Sequence, residues 1–182
     1  MPSKPSAPFI AAIILVAFLA VAGGVRVSGA SADDPPPAPP FSGTTLDGRK
    51  LTFEALSEGR PYVVLVFFGV NCKPCQKEIA LLNDCWRNEA FRDRARFYAI
   101  NADGFDGRRL SAELERRKIK VDFPVIPDDN QVITNQYVDG IVPLTVVIGK
   151  KDRILLSVIG ARIEKIRKIE ELILAGKESG KP

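Results

Sequence analysis

The sequence predicts an α/β domain with a mixed central sheet, helices on both faces and a hairpin leading into it. Three observations carry this. Tyr62 to Phe68 is an unbroken apolar run of strand length, the pattern of a strand buried on both faces. A helix-patterned segment follows it to about Asn88, and then a second strand, Arg96 to Asn101, so that the two strands are parallel and joined by a right-handed crossover. Leu144 to Ile148 and Ile154 to Ile159 are two further strands with only Gly149-Lys150-Lys151-Asp152-Arg153 between them, which makes them antiparallel neighbours.

In chain order, Thr44-Thr45-Leu46 and Lys50-Leu51-Thr52-Phe53 flank Asp47-Gly48, a dipeptide favoured in tight turns, and predict the leading hairpin. The helix after Phe68 has Ile79, Leu82, Trp86 and Ala90 at near-helical spacing, which predicts one buried stripe. A glycine-rich turn and a helix from about Arg108 to Lys118 follow the second strand. Phe123 to Ile126 returns to the sheet, and Asn130 to Tyr137 is a short helical candidate. Ile163, Ile166, Ile169, Leu172 and Ile173 give a last amphipathic helix ending near Gly176, a C-capping residue, and Lys177 to Pro182 are expected to fray.

At 182 residues with 46% hydrophobic content, the chain suits one packed domain, expected over residues 41–176. Residues 1–32 have the form of an export segment. Lys4 supplies a positive start, Phe9 to Val25 is almost wholly apolar, and Ala30-Ser31-Ala32 fits a signal-peptidase site. The alternative is an uncleaved membrane anchor, since 17 apolar residues lie at the short edge of the roughly 17 to 25 that span a bilayer. Either way the domain is expected outside the cytoplasm, in the periplasm or an equivalent compartment, with membrane contact only through this segment. Asp33 to Pro40 carries five prolines and is expected to be an extended spacer or a loose tail.

The formal charge of +4 falls to about +2 without Lys4 and Arg26, and the bases are interleaved with acids, which argues against nucleic-acid binding. The chain contains no histidine and three cysteines. This removes a histidine-based triad and any histidine-ligated metal, and leaves too few ligands for a closed zinc site, so no metal or cofactor is expected.

The chemistry concentrates at Asn71-Cys72-Lys73-Pro74-Cys75, at the junction of strand and helix. Free backbone N–H groups and the positive dipole end favour a thiolate at Cys72, with Lys73 beside it, while Pro74 suits the first helical turn. Cys72 is the expected attacking thiolate, and Cys75, one turn on, resolves the mixed disulfide. Glu78, three residues beyond Cys75, is a candidate for moving the Cys75 proton; a surface carboxylate favoured only by the helix dipole is the plainer reading. Cys85 lies ten residues beyond Cys75, about 15 Å along the helix, and is expected to be a partly buried structural thiol beside a core Trp86.

On these residues, with the leading hairpin and Pro143 before the strand Leu144 to Ile148, the chain resembles the exported TlpA/ResA-like thiol-disulfide oxidoreductases of the thioredoxin superfamily. The resemblance implies a thioredoxin-like fold, a redox-active Cys72/Cys75 pair, a Glu78 that serves Cys75, and a cis-proline loop in which Val142 and Pro143 bind an extended client. It also implies disulfide-bearing exported proteins as substrates and a membrane thiol reductase as electron donor. Asn71 stands where family members commonly have Trp, and Val142 where Thr is frequent, so both residues bear on client choice. Two rival functions are a peroxiredoxin-like thiol peroxidase, which lacks its Pro-x-x-x-Thr-x-x-Cys arrangement before Cys72, and a non-catalytic thioredoxin-fold binding module.

Overall fold

The computed structural model describes residues 34–176. The export or anchor segment expected over residues 1–32 and the tail 177–182 lie outside the described residues. The elements are β1 (Ser42–Thr44), β2 (Lys50–Thr52), β3 (Tyr62–Phe68), α1 (Lys73–Arg87), α2 (Glu89–Arg92), β4 (Ala95–Asn101), α3 (Gly107–Arg116), β5 (Val125–Pro127), α4 (Thr134–Tyr137), β6 (Leu144–Ile148), β7 (Ile154–Ile159) and α5 (Ile163–Ala175).

Five strands form one sheet in the order β5-β4-β3-β6-β7, and β1 pairs with β2 separately. β3 is the centre. It pairs in parallel with β4 along its whole length, from Tyr62 opposite Ala95 to Phe68 opposite Asn101, and antiparallel with β6 on its other side. All seven β3 residues are buried, which is why its sequence is continuously apolar rather than alternating. Tyr62, Val64, Val66 and Phe68 pack with residues of α1, α3 and α5; Val63, Leu65 and Phe67 pack with Phe41, Leu51, Leu56 and Ile133. Each such side chain contributes about 1.5 to 3 kcal/mol relative to exposure. The long helices therefore share one face, and the hairpin with the short α4 covers the other.

The sequence expectations need correcting in four places. The leading hairpin forms, β1 against β2, but its turn is one residue longer than the two-residue form that Asp47-Gly48 favours. Thr45 N–H donates to Arg49 O (2.9 Å) and Gly48 N–H to Thr45 O (2.9 Å), which makes a three-residue loop closed by Gly48 at φ 88°. Ala90 leaves the α1 stripe, because Asn88 ends α1 with extended backbone and caps α2 through Oδ1 and Ala90 N–H (3.0 Å); Ala90 is exposed. The α5 stripe is turned from its expected phase. Ile163 is 64% exposed, whereas Lys165 is 3% exposed, in register with Ile169 and Leu172.

The fourth correction concerns the proline-rich segment, which is docked and neither a spacer nor a loose tail over Asp34 to Pro40. Ile154 N–H donates to Pro36 O (2.9 Å), Ala38 N–H donates to Asp152 O (2.8 Å), and Tyr137 Oη donates to Pro39 O (2.6 Å). Arg153 donates to Pro35 O (3.2 Å) and pairs with Asp34 (3.0 Å), and Ala38 is buried. Prolines lack N–H groups but keep their carbonyls, so in these hydrogen bonds, apart from that of the Ala38 N–H, the segment accepts donors that the rest of the domain supplies.

Candidate active site

The turn from β3 into α1 is held by a carboxylate. Asp103 accepts from Val70 N–H (2.8 Å) and from Asn101 Nδ2 (2.8 Å), and a Cβ added at Gly69 would lie 2.9 Å from Asp103 Oδ1. Glycine at 69 is what lets that carboxylate come close enough to fix the turn. Cys72 N–H closes the turn onto Gly69 O (3.2 Å).

Cys72 is the N-cap of α1. Its Sγ accepts from Cys75 N–H at 3.1 Å, and Pro74 lies in the first turn, where its missing N–H costs nothing. One of the orphan donors of the helix start is thereby aimed at sulfur, the arrangement that favours a thiolate. Cys72 and Cys75 form a disulfide with Cα atoms 5.2 Å apart. The two are unlike in access: Cys72 is half-buried and Cys75 is fully buried. Lys73 and Asn71 are both exposed beside them.

The Val142–Pro143 peptide bond is cis, and Cys72 Sγ lies 3.8 Å from Val142 O. Val142 is half-buried, Pro143 is buried and Ile141 is exposed, so the loop presents backbone and an apolar edge next to the accessible sulfur. Pro143 O accepts from Gly160 N–H (2.8 Å), which ties the loop to the end of β7.

Glu78 is not at the surface, and this overturns the plainer reading of it. It is fully buried, and its Oε1 accepts from Thr145 Oγ1 and from Lys165 Nζ (2.6 Å). Its Oε2 is buried without a partner. Lys165 Nζ also donates to Gly160 O (3.1 Å). Burial pulls the Lys165 ammonium below the usual lysine range, and the Glu78 charge and hydrogen bond oppose that shift.

The structure thus brings Cys72, Cys75, Val142 and Pro143 together and places Asn71 at their edge. It adds Asp103, Thr145 and Lys165, which sequence reasoning passed over. The available signal for Lys165 was its spacing, four residues before Ile169 on the buried face of α5. Cys85 is free, 5% exposed, and pushed up to about 11 by burial, with Glu170 and Asp84 adding to the shift. Among the described residues no cluster of three or more His, Cys, Asp or Glu is placed to hold a metal.

A family model described as the AhpC/TSA family matches residues 36–156. The thiol-disulfide oxidoreductase ResA of Bacillus thuringiensis (strain Al Hakam) is 29% identical over 129 residues, which are 70% of either chain. Among solved structures, a proposed thiol:disulfide interchange protein DsbE from Chlorobium tepidum superposes with a TM-score of 0.66 at 23% identity, covering 80% of this chain and 98% of that one. The thioredoxin domain of a thiol-disulfide oxidoreductase from Bacteroides vulgatus superposes with a TM-score of 0.62 at 18% identity, covering 79% of this chain and 99% of that one.

Proposed function

The chain belongs to the AhpC/TSA family and is a TlpA/ResA-like thiol-disulfide oxidoreductase of the thioredoxin superfamily, and from that premise we propose that it reduces disulfides of exported proteins outside the cytoplasm. The observation that carries the mechanism is the unequal access of the two sulfurs at one helix start. Only Cys72 can be reached by another macromolecule, and only Cys75 is placed to attack Cys72 from within.

In the reduced protein, the Cys72 thiolate attacks a client disulfide, forming a Cys72–client bond and releasing one client thiolate. Cys75 then loses its proton and attacks Cys72 Sγ. The second client thiolate leaves, and the Cys72–Cys75 disulfide of the structure results. Two electrons pass to the client, and a donor dithiol must return them, for which a membrane thiol reductase is the proposed source. The Val142 carbonyl beside Cys72 supports strand-like pairing of an extended client segment along residues 141–143, with Asn71 at its rim.

The direction of flow is tested by the reduction potential of the Cys72/Cys75 couple, measured against glutathione. A value near about −270 mV, that of thioredoxin, supports a reductant, whereas one near about −120 mV makes the protein a disulfide donor. Reduction of insulin disulfides without peroxide consumption separates this activity from a thiol peroxidase and from a non-catalytic module.

A further inference from the structure

Two buried charges meet one helical turn from Cys75 along α1, and the exchange reaction described above leaves the acceptor of the Cys75 proton unnamed. Glu78 and Lys165 are 0% and 3% exposed, and Nζ to Oε1 is 2.6 Å. Breaking such a pair leaves an uncompensated buried charge, and a carboxyl buried without its cation shifts towards the protonated form. The two oxygens of Glu78 are also unequal. Oε1 is occupied by Thr145 and Lys165, while Oε2 is buried with no partner. An orphaned buried acceptor calls for an explanation.

Glu78 follows Cys75 by three residues on α1, a spacing that brings the two side chains to about 5 to 6 Å between Cβ atoms. The position of the ammonium is set from outside α1. Nζ donates to Gly160 O, and Gly160 N–H donates to Pro143 O, so Lys165 is fastened to the loop that faces Cys72. Around the pair, α1 supplies Cys75 and Glu78, β6 supplies Thr145, and α5 supplies Lys165. Lys73 and Lys77 of α1 and Arg162 and Glu164 at the start of α5 are exposed. Burial and Glu78 are the influences that shift Lys165.

We propose that Lys165 is a positioning residue for the resolving step: it holds Glu78 as a carboxylate by its Oε1 and thereby leaves Oε2 open to take the proton of Cys75. The step balances. Cys75–SH and Glu78 carboxylate become the Cys75 thiolate and a Glu78 carboxylic acid, and the thiolate displaces the client sulfur from Cys72. The leaving thiolate carries the electron pair, and Glu78 later returns its proton to solvent. Lys165 touches no reacting sulfur and acts through Glu78. The inference rests on the assignment of Cys72 as attacker and Cys75 as resolver.

The test mixes the reduced full-length chain with excess glutathione disulfide. Attack by Cys72 is second-order, and resolution by Cys75 is a first-order phase that the disulfide concentration does not change. Lys165→Met is expected to slow the first-order phase at pH 7 by at least about tenfold, less than the roughly hundredfold or more that a positioned base contributes because Glu78 itself remains, and to move its pH profile to higher pH. The second-order phase is expected to change by less than about twofold, because Cys72 takes its hydrogen bond from Cys75 N–H and not from the buried pair. Glu78→Gln should slow the same phase, and Lys165→Met added to Glu78→Gln should slow it no further, the non-additivity of two residues acting as one unit. An unmoved pH profile in Lys165→Met, or a double variant slower than Glu78→Gln alone, would overturn the proposal. Should Lys165→Met not fold, the double variant leaves no charge buried, and its equality with Glu78→Gln decides. If Cys72→Ser keeps both phases, the attacker and resolver assignment itself has failed, and that result is distinct from phases that are present but unmoved.

Discussion

Cys72 and Cys85 occupy opposite ends of the same helix, and their surroundings make them opposite kinds of thiol. Cys72 caps the helix start, is half-buried, and receives a backbone N–H. Cys85 lies in the last turn, is buried beside a half-buried Trp86, and is pushed up to about 11 with Glu170 and Asp84 adding to the effect of burial. The difference teaches that neither the residue type nor the helix decides reactivity. The end of the helix and the sign of the nearby charge do.

The largest effect that would break this comparison lies at the capping end. Cys72→Ser is expected to lower disulfide exchange by at least about a thousandfold, whereas Cys75→Ser should accumulate a covalent client adduct on Cys72 that dithiothreitol releases. Full exchange activity in both variants would place the chemistry elsewhere. A smaller effect lies at the other end. In the oxidised protein at pH 8, a thiol titrating near 11 is about one thousandth thiolate, so Cys85 should alkylate slowly in the native state and rapidly in urea. Rapid native labelling would show that Cys85 is not the buried thiol it is here.

The smallest effect is on stability at alkaline pH. Cys85 in the fold holds its proton more tightly than an ordinary thiol near 9.0, so its contribution is whole below pH 9 and is lost as pH rises through about 11. The denaturation midpoint of the oxidised protein should fall across that window. Tyr98 and Tyr137 contribute in the same sense, because burial raises both of them. Cys85→Ala should therefore flatten part of the fall, and an unchanged slope would mean that Cys85 does not titrate there.

What was legible in the sequence was local or periodic. The run Tyr62 to Phe68 announced a central strand because every one of its residues meets neighbours on both faces, and the Cys pair announced a helix start because Pro74 and a capping atom lie within four residues. What was hidden depended on distant partners. Lys165 looks like a surface residue until Glu78, 87 positions earlier, is found against it. Ile163 looks like core because its spacing suits the stripe, yet the burial of Lys165 turns the helix away from it. The proline-rich segment looked unstructured because its hydrogen bonds are made with Asp152, Arg153 and Ile154, far along the chain.

That docked segment also closes off a hazard. β7 is an outermost strand, and an outermost strand invites a neighbouring molecule to pair along it and extend the sheet. Its beginning is met by Pro36, Pro37 and Ala38, which offer a carbonyl to Ile154 and a single N–H to Asp152. Pro35, Pro36, Pro37, Pro39 and Pro40 have no N–H of their own, so the segment occupies that edge without presenting a new row of donors for the next chain. The sheet stops at this corner because the strand-like segment laid against it cannot be copied.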